Sequence, residues 1–114
     1  MPILVVADSE PMRRLYVNVL TDEGIEIVTA SSKDEALALI EPAVSLVITD
    51  LEMNGGAGLE LVRALRSGDP ELPIICMGAD PHLLSQASVA GADAFLTKPL
   101  DADDVRIVVR LLTI

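Results

Sequence analysis

The stretch Leu46-Val47-Ile48-Thr49-Asp50 decides the fold: four residues that read as a buried strand, followed by a carboxylate. A short apolar run rich in β-branched residues suits a parallel strand covered on both faces. Asp50 stands where such a strand leaves the sheet. In open α/β sheets, the crevice beyond the carboxyl ends of the strands is where ligands and chemistry sit. The plainer role for Asp50 is to cap the loop that follows.

Working outward, the chain alternates between strand and helix signals. Ile3-Leu4-Val5-Val6 is a second continuous apolar run and ends at Ala7-Asp8. Ser9 or Asp8 caps a helix with Pro11 in its first turn, and Met12, Leu15, Tyr16 and Val19 recur at helical spacing. Gly24 stops that helix, and Ile25-Glu26-Ile27-Val28-Thr29 reads as an edge strand because polar residues interrupt it. Ser32 and Glu35 form a capping-box pattern ahead of Ala36, Leu37 and Ile40, with Pro42 closing the second helix.

Beyond Asp50, the loop over residues 52–58 carries Gly55-Gly56-Ala57-Gly58, which lacks dinucleotide-fingerprint spacing and reads as a flexible strand-to-helix link ahead of the weaker alternative, a phosphate cradle. Leu59, Val62 and Leu65 mark a third helix, and residues 73–77 a fourth strand. A fourth helix over residues 81–90 is stopped by Gly91; Ala94-Phe95-Leu96-Thr97 is the fifth strand, ending at Lys98-Pro99. A last helix starts near Asp101.

Five βα units without hairpin signals predict one domain over residues 1–114, a flavodoxin-like, doubly wound parallel sheet with five helices. At this length about two thirds of the unfolded surface can be buried. The core must be aliphatic, because Tyr16 and Phe95 are the only aromatic residues. The net charge of −10 repels phosphate backbones and anionic lipid, which argues against nucleic acid or a membrane surface as direct partner. The lone Cys76, inside an apolar run, excludes an intramolecular disulfide framework. With no signal peptide or membrane span visible, a cytoplasmic location is expected.

Three strand ends carry chemistry: Asp8, Asp50 and Lys98. A strand order of 2-1-3-4-5 brings them to one crevice. Two carboxylates with an ammonium opposite suit Mg²⁺ and a phosphoryl group.

Over residues 3 to about 112, the chain resembles the receiver domains of two-component response regulators. The residues that carry the likeness are Ile3-Leu4-Val5-Val6 with Asp8, Leu46-Val47-Ile48-Thr49-Asp50-Leu51-Glu52-Met53, Gly58-Leu59-Glu60-Leu61, Pro73-Ile74-Ile75, and Gly91-Ala92-Asp93-Ala94-Phe95-Leu96-Thr97-Lys98-Pro99. The resemblance implies that Asp50 accepts a phosphoryl group from a histidine kinase or phosphotransfer protein. It also implies that Asp8, Asp50 and the Glu52 backbone carbonyl bind Mg²⁺, and that Lys98 pairs with Asp50 and then with the phosphoryl oxygens. Lys98-Pro99 would be cis, and Phe95 would be the aromatic switch, although core packing explains a Phe there equally well.

Two departures make the site degenerate. The family usually has paired acids after the first strand, where this chain has Ala7-Asp8; one carboxylate fewer implies weaker Mg²⁺ binding, by roughly 1.5–3 kcal/mol. The family's Ser or Thr after the fourth strand is Gly78, which offers only a backbone N–H, so the usual switch loses its differential contact. Asn54 and Ala57 replace the usual Pro and Asp. Glu52 and Asp80 stand to flank the pocket mouth, or else are solvated acids, and His82 reads as a surface residue.

Three functions compete: a phosphoacceptor signalling module with an impaired switch, a phosphorylation-independent pseudo-receiver acting as a binding or dimerisation module, and a metal-dependent phosphatase. The last needs a second acid to activate water and usually a cap domain, for which this length leaves no room. In the last helix Val105, Val108, Val109 and Leu112 form the core stripe at 100° per residue, with Arg106, Arg110 and Thr113 polar beside it. Ile107, Leu111 and Ile114 are left on a third, apolar side. With the fourth helix and fifth strand they are expected to form a surface for a homodimer or a downstream protein.

Overall fold

The computed structural model describes residues 2–40 and 44–113. In chain order the elements are β1 (Ile3–Val6), α1 (Glu10–Thr21), β2 (Ile27–Ala30), α2 (Lys33–Leu39), β3 (Leu46–Asp50), a 3₁₀ turn (Met53–Gly55), α3 (Ala57–Gly68), β4 (Ile74–Gly78), α4 (Pro81–Ala90), β5 (Ala94–Thr97) and α5 (Ala102–Thr113). All four strand pairings are parallel, in the order β2-β1-β3-β4-β5. This is the doubly wound sheet that the βα alternation predicts.

The sheet divides the core in two, because side chains along a strand alternate between faces. Ile3, Val5, Ala7, Ile48 and Ile75 point to one side, where they pack with Tyr16, Val19 and Leu20 of α1 and Val105 and Val109 of α5. Leu4, Val6, Val47, Ile74 and Cys76 point to the other, against Ala36 of α2, Leu61, Val62 and Leu65 of α3, and Ala87 of α4. Strands buried on both faces have no polar alternation to show, which is why β1, β3 and β4 read as continuous apolar runs.

Local chemistry sets the element ends. Ser9 caps α1 by accepting from the Met12 N–H, and Ser32 caps α2 by accepting from that of Glu35. The expected start of β2 at Ile25 moves to Ile27, because the Ile25 N–H donates to the Leu20 carbonyl and closes α1 past Gly24 instead. β4 runs one residue further than expected, to Gly78, which pairs with Thr97. Pro42 and Ile114 lie outside the described residues.

Away from the carboxyl ends, Arg66 ties α3 to two loops. Its guanidinium donates to the carbonyls of Leu72 (2.7 Å), Pro70 (2.9 Å), Asp69 (3.2 Å) and Gly91 (2.7 Å), and pairs with Asp93 at 2.8 Å. Cys76 is free and buried, and burial, with the Asp93 charge, pushes its thiol up to about 12. It is packing, not chemistry.

Candidate functional site

The strand order fixes the site. β3 is central, between β1 and β4, so Asp50 at its end has Asp8 on one side and the β4 terminus on the other, with Lys98 following β5. Asp50 is 4 % exposed. Its Oδ1 accepts from the Glu52 N–H at 3.0 Å and from Lys98 Nζ at 3.0 Å. Among the described residues, no hydrogen bond falls on its Oδ2. Lys98 thus meets Asp50 as the converging strand ends imply, and the Lys98–Pro99 peptide is cis.

Lys98 is shared. Its ammonium also pairs with Glu52 Oε1 at 3.1 Å. Burial alone would lower the Lys98 pKa, but its hydrogen bonds to Asp50 and Glu52 and their charges outweigh that and hold it above its ordinary value. The hydrogen bond from Lys98 holds the Glu52 carboxyl below its usual range against partial burial, and the N–H groups of Ala79 and Asp80 add to this. Those two amides donate to Glu52 Oε2 at 3.1 and 3.0 Å, and the Ala79 N–H also lies 3.2 Å from Oε1. The Glu52 side chain therefore bridges β3 to the loop after β4. Of the two roles open to it from sequence, flanking the pocket is the one it has.

Asp80 is used differently. It caps α4, its Oδ1 accepting from the His82 N–H at 2.9 Å, and His82 itself is exposed. Gly78 is buried, and a Cβ built there would sit 3.7 Å from Leu51 Cβ and 3.8 Å from both Glu52 Cδ and Oε1. These are ordinary contact distances, so the backbone itself admits a side chain. Ala7 is fully buried, with its side chain in the apolar cluster containing Tyr16 and Met77. The Tyr16 hydroxyl donates to Met77 Sδ at 2.9 Å, and burial, then the Asp50 charge, raises its pKa.

The glycine-rich loop has more structure than a flexible link requires. Asn54 adopts φ +50°, and Gly55 and Gly56 adopt +74° and +105°. Asp8 is exposed, and its Oδ2 accepts from the Asn54 N–H at 3.1 Å, so the loop is pinned to the end of β1. Gly58 has a steric role that composition did not reveal. A Cβ there would lie 2.6 Å from Leu51 Cα and closer still to the Asp50 carbonyl oxygen, so only glycine lets the first turn of α3 rest on the end of β3.

Among the described residues no three His, Cys, Asp or Glu side chains converge on a metal position. Asp8 and Asp50 stand at the ends of neighbouring strands, and their carboxylates are hard oxygen donors. That chemistry suits Mg²⁺, which often takes only one or two carboxylates and keeps several waters.

Phe95 is half-buried against the α3–α4 side of the core and edges a shallow groove with Leu96, Thr97, Asp104, Ile107 and Val108. On α5, Val105 and Val109 are buried, whereas Ile107 and Leu111 are 53 % and 67 % exposed. Arg106 and Arg110 both pair with Glu23 at the end of α1. Among the described residues, no helix is long and apolar enough to cross a membrane.

Known proteins match this arrangement. The family model described as the response regulator receiver domain matches residues 3–110. The chain is 35% identical over 107 residues to the CAI-1 autoinducer sensor kinase/phosphatase CqsS of Vibrio cholerae, covering 89% of this chain and 16% of that protein. It is 35% identical over 105 residues to the transcriptional regulatory protein GlrR of Escherichia coli, covering 89% of this chain and 23% of that protein. The chain thus spans less than a quarter of the length of these two relatives. Among solved structures, the receiver domain of NtrX from Brucella abortus superposes with a TM-score of 0.91 at 34% identity, covering 97% of both chains.

Proposed function

The chain belongs to the response regulator receiver domain family, and on that premise we propose that Asp50 accepts a phosphoryl group from a phosphohistidine of a histidine kinase or phosphotransfer protein. The observation that carries this reading is the 3.0 Å pair between Lys98 Nζ and Asp50 Oδ1, which among the described residues leaves Oδ2 without a hydrogen-bond partner. In the step, an Asp50 carboxylate oxygen forms the new O–P bond, the N–P bond breaks, and the electron pair returns to the imidazole nitrogen. Such transfer depends mainly on positioning and charge stabilisation. Lys98 supplies a fixed cation, and the low exposure of Asp50 strengthens that interaction. Asp8, Asp50 and the Glu52 carbonyl would hold Mg²⁺, which when bound neutralises charge on the transferring group. With Ala7 in place of the second acid, that hold is weak.

Output passes by protein–protein contact. Gly78 provides no hydroxyl to draw the β4–α4 loop toward a phosphoryl group, so Phe95 stays nearly unmoved on modification. The chain acts as one signalling domain in the cytoplasm, not as an enzyme. Intact mass after incubation with acetyl phosphate and Mg²⁺ tests the acceptor role. A single added phosphoryl group that Asp50→Asn abolishes is expected; no addition, or addition surviving Asp50→Asn, refutes it.

The exposure of Ile107 and Leu111 favours a second reading, a pseudo-receiver that binds a partner or a second copy through α4, β5 and α5 without phosphate. Ile114, assigned to the same surface, lies outside the described residues. Replacing both Ile107 and Leu111 with Glu should abolish self-association in sedimentation while circular dichroism stays unchanged. A wild-type monomer at high concentration refutes the dimer.

A further inference from the structure

Glu52 holds three donors at the mouth of the crevice: Lys98 Nζ at 3.1 Å, the Ala79 N–H at 3.1 Å and the Asp80 N–H at 3.0 Å. An oxyanion attached to Asp50 would meet the same ammonium. Lys98 already touches Asp50, and the β3–β4 register pairs Asp50 with Met77, two residues before Ala79. Gly78 lies beside the Glu52 carboxylate, and a Cβ at that position would meet it at ordinary contact distance, 3.8 Å.

Charge makes the two occupants exclusive. Asp50 and Glu52 already place two carboxylates on one ammonium, and a phosphoryl group brings about −1.5 to −2 more. We propose that the Glu52 carboxylate is the resting occupant of the phosphoryl cradle, and that it must swing out before Asp50 can be modified. The proposal rests on the acceptor reading above. Glu52 lies on the loop after β3 with its side chain 29% exposed, so an outward rotation meets solvent. One consequence is that the β4–α4 loop is held against β3 without any phosphate. Modification then exchanges one anion for another and orders that loop little further.

The experiment compares the wild-type chain with Glu52→Ala, and with Glu52→Gln, which keeps the side-chain volume but not the charge. Beryllium fluoride at saturating Mg²⁺ is the probe, titrated by amide chemical shifts. Glu52→Ala should bind it about tenfold more tightly, equivalent to losing about 1.4 kcal/mol of competing contact, with Glu52→Gln in between. Without Mg²⁺ or beryllium fluoride, the Ala79 and Asp80 amides of Glu52→Ala should exchange with solvent several times faster than in the wild type. Equal or weaker beryllium fluoride binding by Glu52→Ala, where the wild type binds, overturns the competition and leaves the acceptor reading intact. If no version binds, the acceptor reading fails and the competition with it. Unchanged exchange at Ala79 and Asp80 overturns the proposal by a route independent of phosphate chemistry.

Discussion

Replacing Gly58 with alanine drives a methyl group into the backbone at the end of β3. The added Cβ would lie 2.6 Å from Leu51 Cα and 2.9 Å from the Asp50 carbonyl carbon. These are backbone atoms of a buried strand end, and no rotamer change relieves them, so α3 must move. Overpacking of this kind costs about 1–3 kcal/mol, occasionally more. Against it stands the gain of alanine over glycine inside a helix, about 1 kcal/mol. Because the obstruction is rigid, we take the upper part of the range and expect a net loss of about 2 kcal/mol. Gly68, in the last turn of the same helix, is the internal control: a Cβ there meets nothing within 4 Å. Gly68→Ala should be neutral, or stabilising by up to about 1 kcal/mol. The two variants therefore differ by about 2–3 kcal/mol, a gap of roughly 10 °C in melting temperature for a domain of this size. Urea unfolding followed by circular dichroism measures it. Equal midpoints for the two variants would refute the claim that α3 is seated on the Asp50–Leu51 backbone.

Arg66→Ala should destabilise the fold by about 2 kcal/mol, because the carbonyls of Leu72 and Gly91 lose a charged donor; Arg66→Lys should recover little of this, lacking the fork, as urea midpoints will show. The Glu52 carboxyl is held below its ordinary value of 4.5, so the stability it contributes is fully present above that pH and is lost as pH falls through the lower folded value. In metal-free buffer, Glu52→Gln should flatten that part of the acid limb in a series of unfolding curves from about pH 7 to about pH 3. Lys98 is shifted up from 10.5, so its contribution is complete below that value and is lost as pH rises through the raised folded one, which Lys98→Met should flatten on the alkaline side. Ala7→Asp buries a carboxylate beside Tyr16 and Met77 and should cost about 1–3 kcal/mol without metal, with Mg²⁺ recovering part of it; a melting temperature insensitive to Mg²⁺ in that variant would show that the new acid does not reach the ion.

What the sequence alone determined is the part governed by local chemistry and by strand order. Apolar runs of four or five residues, each followed by a helical period, define a parallel sheet covered on both faces. The topology then places Asp8, Asp50 and Lys98 at one end, whatever their side chains do. Cap residues such as Ser9 and Ser32 act within a few positions of themselves and were equally legible. Tertiary structure decided everything that depends on distances between elements far apart in the chain. Whether Glu52 is a solvated acid or a partner of Lys98 turns on how closely the β4–α4 loop approaches β3. Gly58 and Gly55 look alike in a glycine-rich run, yet Gly55 adopts a left-handed backbone with open space beside it, whereas Gly58 is pressed against the end of β3. Asp80 and Glu52 both lie two residues beyond a strand end, and one caps a helix while the other occupies the crevice. A carboxylate's role depends on which donors the fold brings within about 3 Å of it, and that proximity is set by packing rather than by position in the chain.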